Sequence, residues 1–210
     1  MRRRCRRLPP ARSGAGGWSL VELSMGLALA GLALLMALPA LSAVVRRTRL
    51  ESATRSLAGS MVAARWGALT SGRATGLRLD AGRSGGLDWT LFRDGNGNGL
   101  RSADLARGID PVLRPTTRLS DLAPGVRAGD FGGERIPRLP PQRGMLSGLD
   151  DPVKFGAGDL ASFSPLGSAT PGSLYLTDGM DMTALVVNGQ TGRLRLFRFD
   201  RAAAGWKEMD

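Results

Sequence analysis

The chain has 210 residues, 42% of them apolar and 5% aromatic, with 30 glycines, which leaves room for one turn-rich domain and an appendage. It contains no histidine and a single cysteine, Cys5, so histidine acid–base catalysis, His/Cys zinc sites and an intrachain disulfide are all excluded. The net charge of +11 suggests an anionic partner, but six arginines fall in residues 1–17 without an acid; removing them from the 29 basic residues leaves 23 against 18 acidic, about +5.

Residues 1–17, MRRRCRRLPPARSGAGG, are basic, interrupted by proline and poor in apolar residues, so they cannot enter a bilayer. The stretch Leu23–Val45 that follows has 23 residues and no charge, about 34 Å as a helix and enough to span the hydrocarbon core. No small-residue cleavage site follows it; Arg46 and Arg47 do. Arginines are in excess on the N-terminal side, which predicts a cytoplasmic leader and an outer C-terminal domain. Glu22 stands at the edge of this apolar run. An intramembrane carboxylate costs on the order of 2.5–3.5 kcal/mol at the bilayer centre and less near a helix end, and is usually functional or paired.

Gly17 followed by Trp18-Ser19-Leu20-Val21-Glu22 resembles the leader junction of type IV pilins and pseudopilins. The resemblance implies that a prepilin peptidase cuts after Gly17 and methylates the new N-terminus at Trp18, where the family usually has phenylalanine. Glu22 then becomes the fifth mature residue and Pro39 the twenty-second, both matching family positions. The free ammonium of Trp18 could neutralise Glu22 of a neighbouring subunit and set axial register in a filament. Pro39 removes a backbone hydrogen bond and predicts a kink or loosening of the helix.

Beyond Val45 the helix is expected to continue as an amphipathic stem over residues 46–71. Leu50, Leu57, Met61, Ala64 and Ala68 form one apolar stripe, with Arg47, Glu51, Arg55 and Arg65 largely off it. After Gly72 the pattern turns to short strands: Thr75–Leu79, Leu87–Arg93, Pro111–Leu119, Gly125–Ala128, Leu160–Ser164, Ser173–Thr177, Ala184–Asn188 and Arg193–Asp200. Residues 187–193 read as a hairpin turn. In the last strand Leu194, Leu196 and Arg198 alternate with Arg193, Arg195, Phe197 and Phe199, which leaves open the face that is buried. The whole predicts an α+β fold, one long helix packed on a C-terminal antiparallel β domain over residues 72–200. Residues 129–159, rich in Gly, Pro and charge, read as a long surface loop or as disorder, and residues 201–210 as a tail.

This arrangement resembles the GspH/FimT branch of minor pseudopilins and implies a pilin-like fold. The residues that carry the resemblance are the stem end Ala63-Ala64-Arg65, the run Leu87–Asp94, Asn96-Gly97-Asn98-Gly99, Ala161–Gly167 and Thr191–Arg195. The long Gly/Pro loop and the tail depart from it. Membership would make the chain a structural subunit of a type II secretion or type IV pilus machine, anchored by a single pass in the inner membrane and placed near the tip of a periplasmic filament. The implied partners are a prepilin peptidase, other pseudopilins or minor pilins, a platform membrane protein and its assembly ATPase, and membrane lipid. FimT-like members are associated with DNA uptake, which gives the alternative of a DNA-binding minor pilin.

Asp94, Asn96 and Asn98, with Gly99, match the first half of a calcium loop, but the twelfth position is Leu105 and Asp104 comes one residue early. The alternative is a polar turn using Asn and Gly for positive φ. The arginines Arg193, Arg195 and Arg198 could contact DNA phosphates or merely face solvent on a strand. Asp178, Asp181 and the Asp150-Asp151 pair lack a substrate-pocket motif and read as turn acids; no G-x-S-x-G or G-x-x-x-x-G-K-[ST] run occurs. No catalytic residue and no enzymatic activity are expected, and apart from calcium no cofactor.

Overall fold

The computed structural model describes residues 17–82, 85–130, 136–140, 142, 144–146 and 151–209; residues 1–16 of the expected leader and Asp150 lie outside these. Two compact units are present, residues 1–43 and 44–210. One helix, α1 (Leu20–Ser71), contributes to both.

In the first unit α1 is an apolar cylinder whose large side chains, from Leu20 and Val21 through Leu41, are exposed. It is the helix among the described residues that is long and apolar enough to cross a membrane. Its start is fixed by Ser19, whose Oγ accepts a hydrogen bond from the Glu22 backbone N–H at 3.1 Å. Ser19-Leu20-Val21-Glu22 is thus an S-x-x-E capping sequence, and the carboxylate of Glu22 lies in the first turn, where the helix dipole favours negative charge.

In the second unit the stem of α1 becomes the centre of the core. The stripe predicted from spacing is the buried face: Leu50, Leu57, Met61, Ala64 and Ala68 are each 0 or 1% exposed, and Ala53 and Ala58 join them. Two antiparallel sheets close on this face. The first contains β1 (Thr75–Ala81), β2 (Leu87–Arg93), β3 (Val112–Arg118) and β6 (Leu160–Phe163) in the order β3-β2-β1-β6. The register Leu77↔Leu91 and Leu79↔Trp89 puts their inner side chains in one row against the stem. The second sheet runs β10-β9-β8-β7-β4, built from β4 (Arg127–Ala128), β7 (Gly172–Thr177), β8 (Met182–Val187), β9 (Leu194–Asp200) and β10 (Gly205–Met209), with β5 (Val153–Lys154) paired to β7. Two short helices, α2 (Ser102–Ala106) and α3 (Leu119–Leu122), complete the unit.

The structure is therefore α+β, with a long N-terminal helix and an antiparallel β domain, and the alternation in the sequence locates most strands within one or two residues. It also differs from that reading, beyond the unexpected α2 and β5. The expected strand Pro111–Leu119 is shorter because Leu119 turns into the core as the first residue of α3. Residues 201–210 are not a loose tail: Gly205–Met209 pair with β9 and form the edge of the second sheet. The Gly/Pro segment is more than a surface loop. Its described residues Ile136, Leu139 and Leu146 pack on Tyr175, Met182, Ala184, Phe197, Phe199 and Trp206 on the far side of the second sheet.

That packing answers the question left open for β9. Leu194 and Leu196 pack towards the stem, while Phe197 and Phe199 enter the second cluster. Both faces of the strand are used, which is why its sequence carries apolar residues in both alternation sets. Trp206 Nε1 fixes the cover by donating to the Pro137 carbonyl at 2.8 Å.

Candidate functional site

Three sets of residues carry the functional expectations. At the N-terminal end, Gly17, Trp18 and Ser19 precede the first helical residue, and Trp18 is 78% exposed. Gly17 has open space where a Cβ would stand. The junction is thus an accessible, non-helical segment running into a capped helix. Sequence reading missed the cap, although Ser19 three residues before Glu22 is the signal for it.

The second set is the loop after β2. Asp94 is 3% exposed, and its carboxylate accepts backbone N–H bonds from Asn96 (3.1 Å) and Gly97 (2.7 Å) at Oδ1 and from Gly99 (2.9 Å) at Oδ2. Asn96 and Asn98 both aim Nδ2 at Asp104 Oδ2, at 3.5 and 3.0 Å. The Asn98 amide is the main reason the Asp104 carboxyl is held below the usual range, ahead of the opposing effect of burial. Asp94, Asn96 and Asn98 are thus brought together with Asp104, the residue that loop-position counting had set one place early. Asp110, which sequence reading did not single out, holds the loop from the other side by accepting from Gly95 N–H at 3.0 Å. Gly95 is required here, since a Cβ would lie 2.0 Å from the Ile109 carbonyl oxygen. Arg73 Nη1 donates to the Gly95 carbonyl at 2.9 Å.

The polar groups of this loop largely satisfy one another, which is the geometry of a hydrogen-bonded turn. A cation could take the place of the two amide donors only if both amides turned to present oxygen. Among the described residues, no group of three or more His, Cys, Asp or Glu side chains is arranged to hold a metal.

The third set is the arginines of β9 and the turn before it. Arg195 makes a two-pronged ion pair with Glu208 of β10, at 2.8 and 2.6 Å, and its guanidinium lies 4.9 Å from the centre of the Phe197 ring. Arg198 pairs with Glu51 of the stem at 2.9 Å. Arg193 makes no ion pair among the described residues. Two of the three proposed phosphate contacts are therefore engaged within the fold, one of them clamping the sheet to α1. Asp178 is a turn acid, accepting from Met180 and Asp181 N–H groups.

A long helix with one exposed apolar half and one half sealed by an antiparallel β unit is the setting for the comparison that decides the family. The family model described as Type II transport protein GspH matches residues 53–192, from the stem through the turn before β9. The chain belongs to the GspH family. No curated protein and no solved structure matches it. As a GspH-family member it is a pseudopilin of type II secretion, a structural subunit that associates with other pseudopilins. The match covers the stem stripe from Leu57 onward, both sheets apart from β9 and β10, and the Asp94–Gly99 loop.

Proposed function

We propose that this pseudopilin is a minor subunit placed at or near the tip of a short periplasmic filament, where it helps start assembly and so supports protein export. The observation that carries the reading is the division of α1: its apolar half is exposed, with a single acid in the first turn, and its other half is committed to the β unit. Such a helix suits a subunit held in the inner membrane, N-terminus in the cytoplasm and β unit in the periplasm, and then drawn into a bundle of like helices. In this reading a prepilin peptidase cleaves after Gly17 and methylates Trp18. A platform membrane protein guides extraction. Pro39 loosens the helix as it leaves the bilayer, and Glu22 sets register against the Trp18 ammonium of a neighbour.

The test is a pair of variants in the host secretion system. Glu22→Ala is expected to be processed normally yet fail to enter filaments; normal incorporation would overturn the register role. Gly17→Ala introduces a methyl into open space, so it should leave the fold intact and accumulate as precursor. A Trp18 N-terminus on that variant would contradict the cleavage assignment.

A further inference from the structure

At the membrane end of the second unit, α1 and α3 border a groove of about 300 Å³ lined by Val44, Val45, Thr48, Arg49, Ser52 and Leu122. The two valines are the last residues of the predicted span, so along the chain the groove begins where the span ends. Leu122 is 50% exposed although its neighbours Leu119 and Ala123 are each 1% exposed. α3 is thus pinned into the core by Leu119, while Leu122 beside it stays exposed. No acid lines the groove. Arg49, one helical turn beyond Val45 and so about 6 Å further along the axis, makes no hydrogen bond or ion pair among the described residues.

We propose that this end of the β unit is a lipid-binding foot: Leu122 rests in the interfacial layer of the bilayer, the groove takes the upper acyl and glycerol part of a phospholipid, and Arg49 contacts its phosphate. The physical basis is continuity and charge. An apolar side chain at the level where a span emerges gains by entering the interface, and a neighbouring guanidinium finds an anionic partner there while its stem covers apolar surface. The foot would limit how far the β unit swings about the point where the helix leaves the membrane, holding the stem at one height before assembly. The inference rests on Leu23–Val45 spanning the bilayer.

The test uses the full-length chain with Cys5→Ser, reconstituted into vesicles of phosphatidylethanolamine and phosphatidylglycerol. Single cysteines at Leu34→Cys, Leu122→Cys or Leu113→Cys carry a polarity-sensitive fluorophore. Leu113, an exposed leucine on β3, lies six residues of chain from α3, about 20 Å along an extended strand. The expected result has three parts: deep lipid quenchers dim position 34, headgroup-level quenchers dim and blue-shift position 122, and position 113 stays water-exposed. Arg49→Glu should return position 122 to water. If position 34 is quenched but position 122 behaves like 113, the foot is overturned and the span stands. If position 34 is not quenched, the span fails and the foot with it. Shielding of position 122 that grows with protein density and ignores lipid quenchers would instead place a second copy in the groove, also overturning the proposal.

Discussion

Thr54 on α1 and Thr183 on β8 meet hydroxyl to hydroxyl at 2.7 Å in the buried core. Thr54 gives its proton to the Leu50 carbonyl at 2.8 Å, so Thr183 must be the donor between the two. Thr54→Val keeps the shape but leaves the Thr183 hydroxyl without its acceptor, at a cost of about 1–3 kcal/mol. The expected fall in melting temperature is about 2–4 °C per kcal/mol. Adding Thr183→Val should recover most of it, which thermal melts of the two variants will check.

Glu51 joins the same helix to β9 through Arg198 and to its own preceding turn through Arg47. Burial alone would raise its carboxyl, but the hydrogen bonds from Arg198 and Arg47 outweigh this and hold it below the ordinary carboxylate range. A lowered folded value means stability present above the ordinary carboxylate pKa and lost as pH falls through the folded one. Glu51→Gln should therefore melt below the parent at neutral pH. The two curves should converge in acid.

Asp159 behaves in the opposite sense. Burial, aided by the charges of Asp151 and Asp80, raises its carboxyl, so ionisation penalises the folded chain at neutral pH and the penalty disappears as pH falls. Its φ of +47° suits asparagine, which also keeps an acceptor for the Phe155 N–H. Asp159→Asn is expected to raise the melting temperature at pH 7, with the gain shrinking as pH falls through the carboxylate range.

The Asp94 loop separates a turn from a calcium site. Because Asp94 already accepts three N–H groups, Asp94→Ala should cost about 1–3 kcal/mol whether or not calcium is present. Millimolar calcium should leave the parent melting temperature unchanged and show no binding heat. A calcium-dependent rise that Asp94→Ala or Asp104→Ala abolishes would establish the metal reading instead.

For DNA, Arg195→Ala and Arg198→Ala should lower the melting temperature, since each breaks an ion pair with Glu208 or Glu51. Retention of the chain on duplex DNA should be the same for both variants, and for Arg193→Ala, as for the parent across a salt series. A reduced salt slope in any of the three would support phosphate contact and the uptake role.

What the sequence disclosed depended on whether local pattern or distant contact decided the structure. Leu87–Arg93 was legible residue for residue because Gly86 and Asp94 bound an alternating apolar run. The stem stripe was legible because a helix buried on one face must repeat every three or four residues. β10 was not: Gly205-Trp206-Lys207-Glu208-Met209 lacks alternation, and its pairing is fixed by Trp206 reaching Pro137 and by Glu208 meeting Arg195. Ile136 and Leu139 were hidden for the same reason, being isolated apolar residues whose partners lie some forty to seventy positions away. At the loop, position counting by a known motif put Asp104 one place early, because the turn into α2 rather than motif spacing brings its carboxylate to the two amides.

The second sheet has a consequence for how this chain can change. It is a wall with a different room on each side, the stem against one surface and the Gly/Pro cover against the other. Substitutions beneath the cover need not be transmitted to the stem of α1. A lineage could reshape the outer room and keep the stem on which the β unit is built.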